Sequence, residues 1–270
     1  MTATLRFATW NVNSIRARTE RLIGWLQRAD VDVVALQETK ATDGNFPYEA
    51  LADIGYEVAH HGFSQWNGVA IVSRVGLEDV QPGFADLPPF GSGDTEPVAE
   101  ARAIGATCGG IRIWSLYVPH GRAVDDPHYI YKLAWLEALR ADAAGWLAAD
   151  PQARIALTGD FNIAPTDADV YDATAFAGHT HVTEPERAAF RALNDAGYTD
   201  VVRPFTAAPR TYTYWDYQQL RFPKNRGMRI DFALCSPALA AQVTGARIDR
   251  EERKGKGASD HAPVIVEIAP

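Results

Sequence analysis

The chain has 270 residues, of which 47% are apolar and 22% charged, and its formal net charge is −8. This length and composition are ordinary for a globular protein with a sizeable core. They exclude a membrane-spanning protein, because no stretch approaches the roughly 18 uncharged apolar residues that a span requires. The beginning of the chain also lacks the apolar region and cleavage site of a signal peptide, so we expect a cytoplasmic location.

Cysteine usage points to the same compartment. Cys108 and Cys235 are the only cysteines, and they lie far apart without the spacing of a metal site. We therefore expect two buried thiols in a reducing cytosol rather than a disulfide or a metal centre.

Strand and helix patterns alternate along nearly the whole chain. Runs rich in Val, Ile and Trp predict strands at residues 5–8, 31–36, 68–73, 111–118, 155–157, 229–234 and 264–266. Apolar residues at helical spacing predict helices at 19–29 and 129–149, and the capping-box sequence that starts at Thr183 predicts another. Segments 82–97 and 217–227 are predicted loops. The alternation indicates an α/β fold.

Short polar motifs lie where the predicted strands begin or end. They are Trp10-Asn11-Val12-Asn13, Gln37-Glu38-Thr39, Tyr117-Val118-Pro119-His120, Gly159-Asp160-Phe161-Asn162, Arg229-Ile230-Asp231 and Ser259-Asp260-His261. Carboxylates, amides, a phenol and an imidazole gathered at strand ends are suited to hydrolysing a phosphate ester with a metal ion. Because the motifs come from both halves of the chain, they can meet only if residues 1–270 form a single domain.

Each motif alone also has a plain structural explanation. Glu38 is one of 34 acidic residues, most of which are solvated surface. Asp160 and Asn162 point the same way in an extended chain, but they could equally tie down a loop as an Asx turn. Asp231 could orient the imidazole of His261, or the Asp260-His261 pair could belong to an ordinary capped loop. Only the ordered set of motifs indicates phosphoester hydrolysis.

The charge distribution decides whether a nucleic acid is a plausible partner. A net charge of −8 argues against one, because phosphate contacts need Lys and Arg. However, residues 209–230 contain five cations and a single acid. The same segment includes the aromatic residues Tyr212, Tyr214, Trp215 and Tyr217. Aromatic side chains near cations can stack on bases or fill an abasic gap, although some of these aromatics are expected in the core. A local basic face is compatible with DNA and predicts steep salt sensitivity.

The ordered set resembles the exodeoxyribonuclease III family of apurinic/apyrimidinic (AP) endonucleases, within the endonuclease/exonuclease/phosphatase superfamily. The similarity extends from about Leu5 to Ile268, and its most specific part is residues 212–236, with the elements Trp-Asp-Tyr, Asn-Arg-Gly and Arg-Ile-Asp. The resemblance implies a deoxyribonuclease-I-like four-layer α/β sandwich, in which two mixed β-sheets pack face to face with helices on the outside.

The resemblance also implies roles for individual residues. Glu38 would be the principal Mg²⁺ ligand, with Asn13 near the ion, Asp260 as a further ligand and Mn²⁺ as a substitute metal. Asp160 would position or deprotonate the attacking water, and sequence leaves open whether His261 takes that proton instead. His261, oriented by Asp231, would bind the scissile phosphate. Further hydrogen bonds to this phosphate would come from Asn11, Tyr117 and Asn162.

On the DNA side, the resemblance implies an apolar pocket for a base-free deoxyribose, made by Tyr214, Met228 and Ile230. The resemblance also implies that Arg226 and Arg229 lie on the DNA side. Trp215 belongs to the same aromatic and basic segment. His120 stands where the family usually has Asn or Gln. It is either a pH-dependent phosphate contact or an exposed loop residue without a role.

The function implied is a Mg²⁺-dependent DNA repair nuclease. It would cut 5′ to abasic sites and remove nucleotides or blocking groups from 3′ ends of duplex DNA, as a monomer that is nucleoid-associated when it acts. An alternative is a phosphodiesterase or phosphatase acting on RNA or a small soluble phosphoester. A non-catalytic binding module is a third reading, but each named catalytic position holds a competent side chain.

Overall fold

The computed structural model describes residues 4–91 and 96–269, and its strands form two six-stranded sheets. The first sheet contains β1 (Leu5–Asn11), β2 (Val33–Gln37), β3 (Glu57–His61), β4 (Val69–Ser73), β11 (Val243–Ile248) and β12 (Val264–Ile268). The second contains β5 (Glu78–Pro82), β6 (Ala103–Cys108), β7 (Ile111–Tyr117), β8 (Ile155–Asp160), β9 (Thr199–Asp200) and β10 (Asp231–Cys235). The α-helices are α1 (Thr19–Ala29), α2 (Tyr48–Ala52), α3 (Pro127–Ala149), α4 (Glu184–Asp195) and α5 (Pro237–Ala240).

Each sheet has a parallel pair of strands at its centre. The strand orders are β11-β12-β1-β2-β4-β3 and β5-β6-β7-β8-β10-β9. The pairs β1–β2 and β7–β8 are parallel, and their neighbours are antiparallel. Both sheets are therefore mixed, as predicted. Because parallel neighbours end at the same edge of a sheet, each sheet presents two strand ends side by side.

The central strands are buried on both faces, which gives the molecule four layers. Phe7 of β1 and Ile113 of β7 belong to the apolar cluster between the two sheets. On the other face of the first sheet, Trp10 packs edge-on against Trp25 of α1 at 5.3 Å. On the outer face of the second sheet, Trp114 lies in the cluster that includes α3 and α4. The alternation of side chains along each strand explains this two-sided burial, and the predicted four-layer sandwich is confirmed.

Local capping sequences determine where the longer helices begin. The carboxylate of Asp126 accepts a hydrogen bond from the backbone N–H of His128 at 2.8 Å, so α3 starts at Pro127. Thr183 and Glu186 form the predicted capping box at the start of α4. Among the described residues, no helix combines the length and apolar character needed to cross a membrane.

The aromatic segment 212–217 is irregular, with isolated bridges from Tyr214 to Met228 and His261. The predicted loop at 82–97 begins in the last residue of β5, and its residues 92–95 lie outside the described part of the chain. Cys108 and Cys235 are buried free thiols, as predicted.

Candidate active site

A pocket of about 260 Å³ lies at the edge where the two parallel pairs of strands end. Asn11 is the last residue of β1, Glu38 follows β2, Tyr117 ends β7 and Asp160 ends β8. Asp231 begins β10 and lies directly opposite Asp160 in the antiparallel pair β8–β10. The two stacked sheets thus bring polar residues from distant parts of the chain to one place.

Two carboxylates and an imidazole form the centre of the pocket. Glu38, Asp160 and His261 each offer one atom that could bind a metal ion, and these three atoms lie within 4.8 Å of one another. The side-chain amide of Asn11 donates to Glu38 Oε1 at 2.9 Å and to Asp160 Oδ2 at 3.0 Å. Both N–H groups of this fully buried amide are therefore used by carboxylates. In this arrangement Asn11 holds the two acids together, and its donation to a phosphate stays a prediction.

Lys40 places a positive charge beside Glu38. Its ammonium lies 2.8 Å from Glu38 Oε2 and donates to the amide oxygen of Asn13 at 2.6 Å. Burial would raise the pKa of Glu38, but Lys40 and the Asn11 amide outweigh burial and lower that pKa below its ordinary value. Glu38 is therefore ionised at neutral pH. Lys40 was not predicted, although its position two residues after Glu38 was a usable signal.

Asp260 lies on the far side of Asn13 from Lys40. The carboxylate of Asp260 accepts from Asn13 Nδ2 at 2.9 Å, and Asp260 also lines the pocket. Asp260 is not one of the three residues whose donor atoms cluster within 4.8 Å. Asp260 thus lies at the edge of the pocket, outside the cluster that Glu38, Asp160 and His261 form.

His261 is fixed by Asp231. Its Nδ1 lies 2.9 Å from Asp231 Oδ2 and 3.1 Å from Oδ1, and its Nε2 lies 3.8 Å from Asp160 Oδ2. Burial would lower the pKa of His261, but the carboxylates of Asp231 and Asp160 outweigh it and raise that pKa above its ordinary value. The ring is therefore an imidazolium at neutral pH, with one N–H toward Asp231 and the other toward the pocket.

Asp160 is held by the turn that follows β8. The backbone N–H of Asn162 donates to Asp160 Oδ1 at 2.9 Å, and Asn162 adopts the left-handed conformation with φ 51°. The Asn162 amide donates to the carbonyl of Val118 at 3.0 Å. The Asx turn is therefore present, and both side chains also line the pocket. Burial and the nearby acids raise the pKa of Asp160, while His261 opposes the rise.

A glycine and an arginine position the remaining polar groups on β7 and β8. A Cβ at Gly159 would lie 1.9 Å from the carbonyl oxygen of Leu116, so only glycine permits this close strand contact. The guanidinium of Arg102 lies 4.8 Å from the centre of the Tyr117 ring. Burial and the Glu38 carboxylate raise the pKa of Tyr117 well above its ordinary value. Its phenol is therefore a neutral hydrogen-bond donor.

One wall of the pocket is apolar. It contains Tyr214, Met228 and Ile230, as predicted for a sugar-binding pocket, together with Phe176. The ring of Tyr214 lies 4.9 Å from the ring of His261. The apolar wall therefore adjoins the imidazolium directly.

Two residues predicted to face DNA are instead buried inside the protein. Trp215 has no exposed surface, and its indole N–H donates to the side chain of Asn225 at 3.1 Å. Arg229 is 4% exposed and forms ion pairs of 2.6 Å with both Asp169 and Asp200. Its charge is thus neutralised within the fold. Neither side chain can contact DNA in this arrangement.

Two further predicted residues lie at the surface, and the pocket also has lining residues that were not predicted. Arg226 is exposed. His120 is exposed at the rim, where its ring lies 4.6 Å from the buried ring of His181. His181 was not predicted, and neither were the further lining residues Phe176, Asp216 and Arg221. His181 and Phe176 lie in no motif, whereas Asp216 belongs to the Trp-Asp-Tyr element and Arg221 to the basic segment, which were usable signals.

Comparison with known proteins identifies the family. The model of the endonuclease/exonuclease/phosphatase family matches residues 8–261. Exodeoxyribonuclease III of Haemophilus influenzae is 29% identical over 273 residues, which cover 98% of this chain and 100% of that protein. An AP endonuclease structure from Archaeoglobus fulgidus is 34% identical, with a TM-score of 0.89 and coverage of 98% and 99% of the two chains.

A further solved structure contains DNA. The 3′ phosphatase NExo from Neisseria, bound to a product DNA hairpin, is 36% identical, with a TM-score of 0.91 and coverage of 98% and 100%. The order of the motifs, the fold and the acidic centre agree with these similarities. The chain therefore belongs to the endonuclease/exonuclease/phosphatase family, and within it to the exodeoxyribonuclease III branch.

Proposed function

We propose that this protein is a Mg²⁺-dependent DNA repair nuclease. It hydrolyses the phosphodiester 5′ to abasic sites and removes nucleotides or blocking groups from the 3′ ends of duplex DNA. The observation that carries the proposal is the convergence of Glu38, Asp160 and His261 beside an apolar wall. The activities named for the relatives, exodeoxyribonuclease, AP endonuclease and 3′ phosphatase, support the same chemistry.

The donor atoms near Glu38 fit a hard divalent cation. Glu38 offers carboxylate oxygens, Asn13 offers an amide oxygen and Asp260 offers a further carboxylate at the edge of the pocket. Mg²⁺ needs only one or two carboxylates because it keeps several waters. The Lys40 ammonium lies against both the Glu38 and the Asn13 oxygens, so this place favours positive charge. His261 does not fit as a ligand, because Asp231 holds its ring in the protonated form. When bound, Mg²⁺ or Mn²⁺ supplies positive charge that stabilises the leaving 3′ oxygen.

The protein's own groups then have distinct tasks. His261 donates its Nε2 hydrogen to a nonbridging oxygen of the scissile phosphate, and the Tyr117 phenol donates a second hydrogen bond. Asp160 accepts a hydrogen bond from the attacking water and takes its proton, because its raised pKa makes it a stronger base than an ordinary carboxylate. Preset donors of this kind stabilise the charge that develops in the transition state.

The apolar wall accounts for the choice of DNA lesion. Tyr214, Met228 and Ile230 offer a surface for a sugar without a base, beside the imidazolium that holds the phosphate. Arg221 lines the same pocket, and exposed Arg226 belongs to the same basic segment, so both supply charge for the DNA backbone.

A panel of labelled substrates tests the proposal. Duplex DNA with an abasic analogue, duplex DNA with a 3′-phosphate, single-stranded RNA and an inositol phosphate are compared at equal concentration with Mg²⁺. We expect turnover of both DNA substrates and little of the others. Release of phosphate from the inositol phosphate with both duplexes untouched would instead favour a phosphatase of soluble phosphoesters.

A further inference from the structure

A buried ion pair lies behind the pocket. Lys132 of α3 and Glu186 of α4 have no exposed side-chain surface, and Lys132 Nζ lies 2.5 Å from Glu186 Oε1. Neither residue lines the pocket. The pair therefore cannot touch a substrate, and its partners indicate what it does.

The Lys132 ammonium binds two of the loops that form the pocket. It donates to the backbone carbonyl of Asn162 at 2.7 Å and to that of His120 at 3.3 Å. The first carbonyl follows β8 and the second follows β7. Gly121 allows the close approach, since a Cβ there would lie 3.2 Å from Lys132 Cδ and 2.6 Å from Thr180 Oγ1.

The Glu186 carboxylate binds the third loop. Its Oε1 accepts from the backbone N–H of His181 at 2.9 Å and from the hydroxyl of Thr180 at 2.7 Å. The ring of His181 in turn contacts the Asn162 carbonyl through Nδ1 at 2.5 Å. His120, Asn162 and His181 all line the pocket, and one ion pair fixes the backbone of all three.

Asn162 connects this ion pair to the reacting groups. Its carbonyl is held by Lys132, while its N–H donates to the carboxylate of Asp160 at 2.9 Å. A rotation of the turn around Asn162 would therefore remove a hydrogen bond from Asp160. Burying two charges is costly, and an apolar pair of similar volume often gives equal stability. Stability alone thus gives no reason for an ion pair at this place.

We propose that Lys132, paired with Glu186, is a positioning residue that orients Asp160 and the pocket loops through the Asn162 carbonyl. The inference rests on the proposed nuclease function. It concerns the rate of the chemical step rather than DNA binding, because Lys132 contacts neither the apolar wall nor the exposed cations at the mouth.

The test separates positioning from stability. Lys132→Met leaves the Glu186 charge buried alone and is expected to destabilise the fold. Lys132→Met/Glu186→Gln removes both charges and should recover most of the lost stability, while the Asn162 carbonyl still lacks the Lys132 ammonium and keeps only its contact with the His181 ring. Tyr198→Phe is the matched control, since it removes a buried hydrogen bond to the Ala143 carbonyl of α3 far from the pocket loops. Urea unfolding, kcat and the KM for DNA are measured for each variant.

We expect the double variant to recover stability but to keep a kcat about tenfold to a hundredfold below that of Tyr198→Phe, with KM unchanged. Recovery of kcat together with stability overturns the proposal. If neither Lys132 variant folds, Thr180→Val decides, because it keeps the ion pair but removes the hydroxyl bond by which Glu186 holds the third pocket loop. A severalfold fall in its kcat supports the proposal, and an unchanged kcat overturns it.

A wild-type protein that cleaves no DNA refutes the proposed function and this inference together. If the wild type and the double variant are equally active, this inference alone is refuted.

Discussion

At the scale of single residues, the protonation states of Glu38, Asp160 and His261 indicate which part each could take in the proposed reaction. Three acids and one imidazole lie within a few ångströms of one another, so their charges cannot be independent. Glu38 is kept ionised by Lys40, while His261 is kept protonated by Asp231. Asp160 has a raised pKa and is the group suited to take a proton. These protonation states support the proposed roles of Glu38 as a metal ligand, His261 as a phosphate donor and Asp160 as a base.

The first prediction concerns the two groups that contact the reacting atoms. Asp160→Asn removes the base, and His261→Ala removes a donor to the phosphate. Loss of one such donor commonly costs about a hundredfold to a thousandfold in rate. We expect each variant to lose nearly all cleavage of duplex DNA while its circular dichroism spectrum matches that of the wild type. A variant that retains most of its activity would remove that residue from the mechanism.

The second prediction concerns the pH dependence. The Asp231 charge raises the pKa of His261, so Asp231→Asn should lower it. In the proposed mechanism the protonated His261 ring binds the phosphate. As the pH rises, the ring of the variant would lose its proton, and with it the phosphate contact, at a lower pH than the ring of the wild type. We expect the alkaline limb of the kcat/KM profile to move to lower pH in Asp231→Asn. An alkaline limb at the wild-type position would show that His261 does not act as an imidazolium.

Most of the acidic centre was predictable from sequence because its members end or begin strands. The incorrect predictions concern residues whose environment depends on the packing of distant parts of the chain. Trp215 and Tyr214 are adjacent and equally aromatic, and only the packing of the chain decides that Trp215 is buried while Tyr214 lines the pocket. Arg229 is neutralised by Asp169 and Asp200, which lie 60 and 29 residues away in sequence. No local pattern announces such partners.

At the scale of elements, short capping and close-contact signals place the site. Gly159 lets β8 approach β7, and the turn after β8 then aims Asp160 into the pocket. The helices α1, α3 and α4 were predictable because apolar spacing and, for α4, the capping box are local signals. The two-residue strand β9 was not, because it exists only through its pairing with β10.

The third prediction tests the start of α4. Thr183 and Glu186 satisfy each other's backbone N–H groups, and loss of such a cap costs about 1 kcal/mol in the free energy of unfolding. We expect Thr183→Ala to lose about this amount in urea unfolding, while Thr183→Ser, which keeps the hydroxyl, loses much less. Equal stability of Thr183→Ala and wild type would show that the box contributes nothing to the fold.

At the scale of the whole molecule, the basic segment 209–230 coexists with a net charge of −8. The pairing of β1 with β2 and of β7 with β8 could not be derived from the strand patterns alone, since these indicate strands but not their neighbours. The resemblance to a known family implied two mixed sheets packed face to face, but not which strands are paired. Acidic surface elsewhere repels DNA, so binding depends on a few cations around the pocket.

The fourth prediction follows from this charge distribution. Each cation that contacts a phosphate releases counterions, so its removal reduces the salt dependence of DNA binding. We expect Arg226→Ala to weaken binding and to reduce the slope of log K against log salt by about 1. Arg140→Ala on α3, where Arg140 pairs with Glu137, should leave the slope unchanged. Identical slopes for wild type and Arg226→Ala would exclude Arg226 from the DNA contact.

The most direct test of the nuclease assignment is cleavage of an end-labelled duplex that carries one central abasic analogue. The reaction is run with Mg²⁺ and with EDTA, beside an intact duplex. We expect Mg²⁺-dependent cutting 5′ to the lesion, no cutting in EDTA, and shortening of the intact duplex from its 3′ ends only. No cutting of either duplex at low salt with Mg²⁺ would contradict the assignment.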